Sequence, residues 1–284
     1  MLLDDDEFLS PMNDFVFKRL VGDERHPAIT TSILQAILPL PRDEYKRIIF
    51  KDPHINRSFE DDKERNLDVC IETCSGHMIN VEMQAHLTPA YHLRMQSYAC
   101  KLMSNQIKIG EPYSVIRPVH GIHFCNFTLF PGCPCYYHRF RLYDSTCSMA
   151  FPDSMELHTL EAPKAPPESD GTMKSRWLCF LSARGRKRFK SLAEGSPVME
   201  EAVAVLAELT ADEEARMLAV SREKWHLDQL TREVFARQAG LEEGRAEGRA
   251  DAARRMLMEK LDHNLISRIT GLTLEQIENL RQRP

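Results

Sequence analysis

The stretch RNLDVCIETCSGHMINVEMQAH, residues 65–86, alternates apolar and polar positions on both sides of CSGH and reads as a β-hairpin. It carries acids where strands rarely hold them: Asp68 lies opposite in parity to Leu67, Val69 and Ile71, and Glu82 and Gln84 lie opposite to Val81, Met83 and Ala85. The connection decides what these residues do together. A three-residue connection sets Asp68 across from Glu82 or Gln84 on one polar face, whereas a two-residue turn at Ser75-Gly76 sends them to opposite faces.

Around this hairpin the pattern is α/β. A first helix, MNDFVFKRLV, presents Phe15, Phe17 and Leu20 to a core, and a second, AITTSILQAILPL, is stopped by Pro39 and Pro41. Residues 46–55 form a short strand and its exit. After the hairpin, AYHLRMQSYACKLMSNQIKIG is a helix with Leu93, Cys100 and Leu102 among its apolar positions, and VIRPVHGIHFCNFTLF is a buried strand. The segment EAPKAPPESDGT, residues 161–172, reads as a linker or irregular loop, and almost everything beyond it as helix. Three regions are expected: an α/β domain over 1–165, a helical region over 172–238, and a charged helix with a helix-turn-helix-like tail over 239–284.

Thr210 with Glu213, and Thr273 with Gln276, have capping-box spacing, the second with Leu272 and Ile277 set as a hydrophobic staple. GLEEGRAEGRA, with Gly240, Gly244 and Gly248 four apart, is too polar for a membrane dimer motif and fits a solvated helix that frays or pairs with another copy.

Composition narrows the class. The chain has 284 residues, 43% hydrophobic and 28% charged, which suits a globular protein rather than a disordered or fibrous one. No apolar run approaches the roughly 20 residues of a bilayer span, and MLLDDDEF is acidic where a secretory signal is basic; no membrane role and a cytoplasmic location are expected. Eight cysteines without regular spacing suit reduced thiols, and a net charge of −5 confines any nucleic-acid contact to local patches.

Two carboxylates on one face suit Mg²⁺, a hard cation that prefers oxygen ligands and can activate water beside a phosphate. The competing account is a solvated polar face. NDFVFKRLVGD, the hairpin with its following helix and strand, and ISRITGLTLEQIENL together resemble the PD-(D/E)xK nuclease family transposases, relatives of the recombination-promoting nucleases, over most of residues 11–165 and again at the C-terminus. The resemblance implies a restriction-endonuclease-like core, a mixed sheet flanked by helices, that cuts DNA with Mg²⁺ in recombination or mobile-element activity. It makes Asp68 and Glu82 the metal-binding acids and Gln84 the residue standing where most of the superfamily has lysine. Glutamine can orient a water but brings no positive charge, so that charge falls to the metal or a nearby cation.

Arg94 is one such cation, or a surface arginine. Asp14 is either a further acid of the metal site or a helix N-cap. The Met83 carbonyl is a further candidate ligand.

SARGRKRFK, residues 182–190, is the densest basic run; Arg186, Lys187 and Arg188 either track a DNA backbone or form a solvated helix end. Cys125, Cys133, Cys135 and Cys147 lack a zinc-site spacing and read as structural thiols, and His120, His123 and His138 have no ligand pattern. The terminal helix-glycine-helix resembles a helix-turn-helix in outline, but its second helix is weakly basic and fits a packing module, with self-association through the C-terminal helices left open. The alternative to an active nuclease is a silent remnant that binds DNA or itself.

Overall fold

The computed structural model describes residues 7–51, 68–152 and 155–282. The acidic start of the chain, the strand exit after residue 51 and residues 65–67 of the hairpin stretch lie outside them.

Helix α1 (Asp14–Val21) begins at Asn13, whose side chain accepts from the Phe15 and Val16 backbone N–H groups. Its apolar residues recur at helical spacing, which buries Val16, Phe17, Leu20 and Val21 along one stripe. Helix α2 (Pro27–Ile37) starts on a proline, where a missing N–H costs nothing, and buries Ile29, Ile33, Leu34 and Ile37. A short strand β1 (Ile49–Lys51) leads to the hairpin β2 (Val69–Glu72) and β3 (Met78–Gln84). Thr73 N–H donates to the His77 carbonyl at 3.1 Å, leaving Cys74, Ser75 and Gly76 as a three-residue connection, with Gly76 at φ +89° where only glycine sits without strain. The register pairs Val69 with Val81 and Ile71 with Ile79. Continued by one residue, it sets Asp68 opposite Glu82.

Helix α3 (Tyr91–Ser104) carries the chain back to β4 (Val119–Cys125), which runs parallel to β3. The buried stripe of α3 is Tyr91, Met95, Ala99 and Leu102, whereas Leu93 and Cys100 are exposed; of the three apolar positions expected to matter, only Leu102 faces the sheet. Strand β5 (Tyr137–Arg141) and the small β6 (Tyr143–Asp144) and β7 (Met149–Ala150) pair precede β8 (Met155–Glu161). The described strands form a six-stranded sheet in the order β1-β2-β3-β4-β8-β5, with β3, β4 and β8 parallel and the flanking pairs antiparallel. This is the expected mixed sheet flanked by helices. Ile79, Val81 and Met83 of β3, with Ile122 and Phe124 of β4, face the main core; Cys70 and Val119 face α3 with Ala99 and Leu102.

The helices beyond the proline-rich segment join the same core. Helices α4 (Met173–Leu181), α5 (Arg186–Ala193) and α6 (Pro197–Ala211) contribute Trp177, Phe180, Phe189, Met199 and Leu206 to the apolar cluster that holds Phe17 and Ile79. Trp177 Nε1–H donates to Ser32 Oγ of α2 at 3.0 Å. The chain falls into two compact units, Met1–Arg222 and Glu223–Pro284, and elements on both sides of residues 161–172 contribute to one interior.

Helix α7 (Glu213–Met258) is capped by Asp212, which accepts from Glu214 and Ala215 N–H, not by the expected Thr210 with Glu213. The Thr210 hydroxyl is engaged inside the core, donating to the Leu206 carbonyl and accepting from Leu9 N–H. In the second unit the glycine-spaced stretch is continuous helix. Helices α8 (His263–Thr270) and α9 (Leu274–Gln282) pack Ile266 and Ile277 on Ala253. There the Thr273–Gln276 capping box forms reciprocally, at 2.9 and 3.2 Å.

Since Trp177 is fully buried and bonded across to α2, Trp177→Ala should lower stability by about 3–5 kcal/mol in denaturant titration. A change under about 1 kcal/mol would mean that α4 is not part of the core.

Candidate active site

Asp68 and Glu82 lie on the α3 face of the sheet, where β2 begins and β3 ends. Met83 N–H donates to Asp68 Oδ2 at 2.9 Å, and Asp68 N–H donates to Glu82 Oε1 at 3.3 Å. Asn80 Nδ2 donates to the same Glu82 oxygen at 3.1 Å. Each acid thus has its own donors, and the two share a side of the sheet, as the three-residue connection requires.

Glu82 is 6% exposed and the Asp68 side chain 11%. Burial raises both carboxyl pKa values, and repulsion from Asp68 adds to it at Glu82, which is pushed up to about 8. Lys18 of α1, with Nζ 3.0 Å from Asp68 Oδ1, opposes the rise at Asp68. Two adjacent carboxyls that resist ionisation together are a pair to which a bound cation would be stabilising.

Gln84 points the same way as Glu82. Its Oε1 accepts from the Arg94 guanidinium and its Nε2 donates to the His86 carbonyl at 2.9 Å, so both ends of the amide are held. Arg94 also stacks over the Tyr91 ring, 4.8 Å from its centroid. It is therefore built into the site's wall, where its charge favours ionised Glu82.

Asp14 is not the N-cap; Asn13 takes that place. As the first residue of α1 it accepts from Phe15 N–H at 2.8 Å, lies 4.0 Å from Arg222 and adds negative potential at Asp68. It does not join Asp68 and Glu82 in a tight three-oxygen group among the described residues. The basic run sits on α5: Arg186 stacks on Phe8 at 4.8 Å, Arg188 donates to the Pro167 carbonyl, and Lys187 is exposed.

The sequence reading names neither Lys18 nor Asn80 and gives His123 no role. Lys18 has one local signal, its place one helical turn after Asp14 in NDFVFK; its approach to Asp68 is tertiary. His123 pairs in register with Glu82, and burial holds its pKa down at about 3, so it sits neutral beside the acids. Among the described residues a further group comes together, of which the sequence reading named only His120 and gave it no role: one ligand atom each of His120, Glu156 and His158, all within 4.8 Å of one another. The eight cysteines are free.

A mixed α/β sheet carrying an aspartate at one strand's start and E-x-Q on the next defines a restriction-endonuclease-like core. The sequence model of a family described as PD-(D/E)XK nuclease family transposase matches residues 11–232, and the chain belongs to that family. Nucleases of this kind generally depend on a divalent metal. Comparison with curated proteins gave no match, and comparison with solved structures gave none. No helix among the described residues is long and apolar enough to cross a membrane.

A carboxyl whose pKa is higher folded than unfolded gives up stability as pH rises between the two values. For Glu82 that window runs from its ordinary 4.5 to about 8. Without divalent ions, wild type should lose on the order of 1–4 kcal/mol relative to Glu82→Gln between about pH 5 and about pH 8.5, read by denaturant titration. Parallel pH profiles would show that Glu82 ionises freely.

Proposed function

We propose that the chain is a Mg²⁺-dependent endodeoxyribonuclease that hydrolyses DNA phosphodiester bonds in recombination or mobile-element activity. The observation that carries this reading is the Asp68–Glu82 pair: two buried carboxyls on one side of the sheet, each raised in pKa, with Lys18 against the first. An all-oxygen pair suits Mg²⁺, which keeps most of its shell as water. When bound there, such an ion would lower the pKa of a coordinated water and neutralise charge gathering on the phosphate.

The chain's own residues do the rest. Asp68 and Glu82 would hold the ion. Gln84, with its amide oriented by Arg94 and the His86 carbonyl, would position the attacking water by hydrogen bonding. Lys18 would supply the positive charge that lysine gives in the superfamily's E-x-K strand, and it has the reach to do so because its side chain is 41% exposed. Asp14 would add negative potential at Asp68.

For the DNA backbone, Lys187 offers an exposed ammonium, while Arg94, Arg186 and Arg188 would have to share guanidiniums already engaged. Self-association would fall to the C-terminal helices, where Val234, Phe235 and Leu241 of α7 are exposed. Free thiols suit a cytoplasmic setting.

Supercoiled plasmid tests the reading. Wild type with Mg²⁺ should nick it, Asp68→Asn and Glu82→Gln should be slower by roughly 10²–10³-fold, and Lys18→Met by about 10²-fold. Identical traces in all lanes, with DNA still shifted in a gel, would favour a silent DNA-binding remnant. That second reading draws on Glu82's deep burial and on Lys18 already neutralising Asp68.

A further inference from the structure

On the opposite face of the sheet, at the starts of β4 and β8, two histidines and a glutamate are buried together for no reason that the proposed phosphodiester chemistry provides. His120 and Glu156 are neighbours in the parallel register of these strands, and His158 lies two residues along β8 from Glu156 on the same face. His120 is in register with Ile79 of β3, three residues and about 10 Å of strand before Glu82.

The nitrogens are arranged in inner and outer pairs. His120 Nδ1 and His158 Nε2 point at Glu156 Oε2, from 3.7 and 3.3 Å, and neither finds a hydrogen-bond partner among the described residues although both rings are almost wholly buried. The outer nitrogens are both held: His120 Nε2 lies 2.9 Å from His77 Nδ1, and His158 Nδ1 lies 2.9 Å from the Tyr137 hydroxyl. Arg139 holds the carboxylate, with Nη2 2.6 Å from Oε1 and Nε 3.0 Å from Oε2.

A fully buried histidine with an orphaned nitrogen is costly, and two of them facing one carboxylate oxygen demand an occupant. We propose that His120, Glu156 and His158 form a second metal centre, one that binds Zn²⁺ through His120 Nδ1, His158 Nε2 and the Glu156 carboxylate.

The donor set decides the ion. Two imidazoles and one carboxylate suit Zn²⁺, whereas Mg²⁺ takes oxygen. The separations of 3.3 and 3.7 Å approach the edge of about 3.3 Å expected between ligands bonded tetrahedrally at ~2.05 Å. Metal-bound histidines characteristically have the remote nitrogen fixed by an outer partner, here His77 and Tyr137, and ligating carboxylates are likewise held from outside, here by Arg139. Glu156 and Arg139 are partly exposed and open a route from solvent, and water completes the coordination.

The rival account is a metal-free ion-pair cluster in which Arg139 and the inner nitrogens of both histidines together hold Glu156; at 3.7 and 3.3 Å those inner contacts are long for hydrogen bonds to a carboxylate. Through His77, at the end of the hairpin connection, and Tyr137, on the edge strand, the ion would brace the sheet on which Asp68 and Glu82 stand.

Full-length protein freed of metal with a chelator and titrated with Zn²⁺ in a calorimeter should bind one equivalent tightly, with a rise in melting temperature. Co²⁺ in its place should give the visible bands of a tetrahedral nitrogen–oxygen site, without the intense near-ultraviolet charge transfer of thiolate ligands. His120→Gln, His158→Gln and Glu156→Gln should each abolish that equivalent, and Tyr137→Phe should weaken it roughly tenfold. Should a histidine variant fail to fold, Glu156→Gln and Tyr137→Phe decide. Glu82→Gln should leave Zn²⁺ binding unchanged, which separates this centre from the proposed Mg²⁺ site. No Zn²⁺ uptake by wild type, uptake surviving all three ligand substitutions, thiolate bands, or loss in Glu82→Gln would each overturn the proposal.

Discussion

Two carboxyl groups held side by side with little water is the constraint around which this protein is arranged. In isolation such a pair strongly disfavours ionisation, because burial removes solvation and each charge repels the other. The surroundings supply partial relief at short range: Lys18 on Asp68, the Met83 amide on its second oxygen, and Asn80 with the Asp68 amide on Glu82. None of these removes the rise in pKa. The pair remains out of balance by design of its position, which is the condition in which a cation gains most from binding.

The sheet keeps its polar chemistry in two separate places. The central strand β3 is covered on both sides, so alternation divides function by face: Ile79, Val81 and Met83 anchor the helical core, while Asn80, Glu82 and Gln84 work against α3. The neighbouring strands repeat the division with opposite contents, since His120 and His158 lie on the core side and His123 beside Glu82. The polar residues named here are tolerated inside because each is fixed by a partner or aimed at a neighbour, which makes the strands rigid carriers of side-chain direction.

Much of this was readable from residue order. Period-two alternation marks the hairpin, the acids fill the polar positions of one parity, and the apolar stripes of α1 and α2 follow helical spacing. What could not be read depends on distance in the chain. The connection between β2 and β3 admits two lengths until the Thr73–His77 pairing chooses one, and nothing near Lys18 announces Asp68, fifty residues away. Proline and glycine at 161–172 look like a boundary because composition reports local stiffness, not what packs afterwards; Trp177 returns at once to the core. Thr210 has the right spacing for a cap, but burial claims its hydroxyl and Asp212 takes the role. Histidines scattered over residues 77, 120 and 158 become a cluster only when parallel pairing aligns their strands.

The odd-numbered connection around Gly76 also limits how the gene can change there. A single codon added or lost leaves the facing intact only if the turn itself takes it up; passed into a strand, it would turn that strand's inner side outward, carrying an acid into the apolar layer and an isoleucine out of it. Changes by two codons would preserve the facing while sliding which residues meet. Length variation among relatives should therefore be confined to this tip, with the spacing inside each strand unchanged, a signature that comparison of many genomes could recognise.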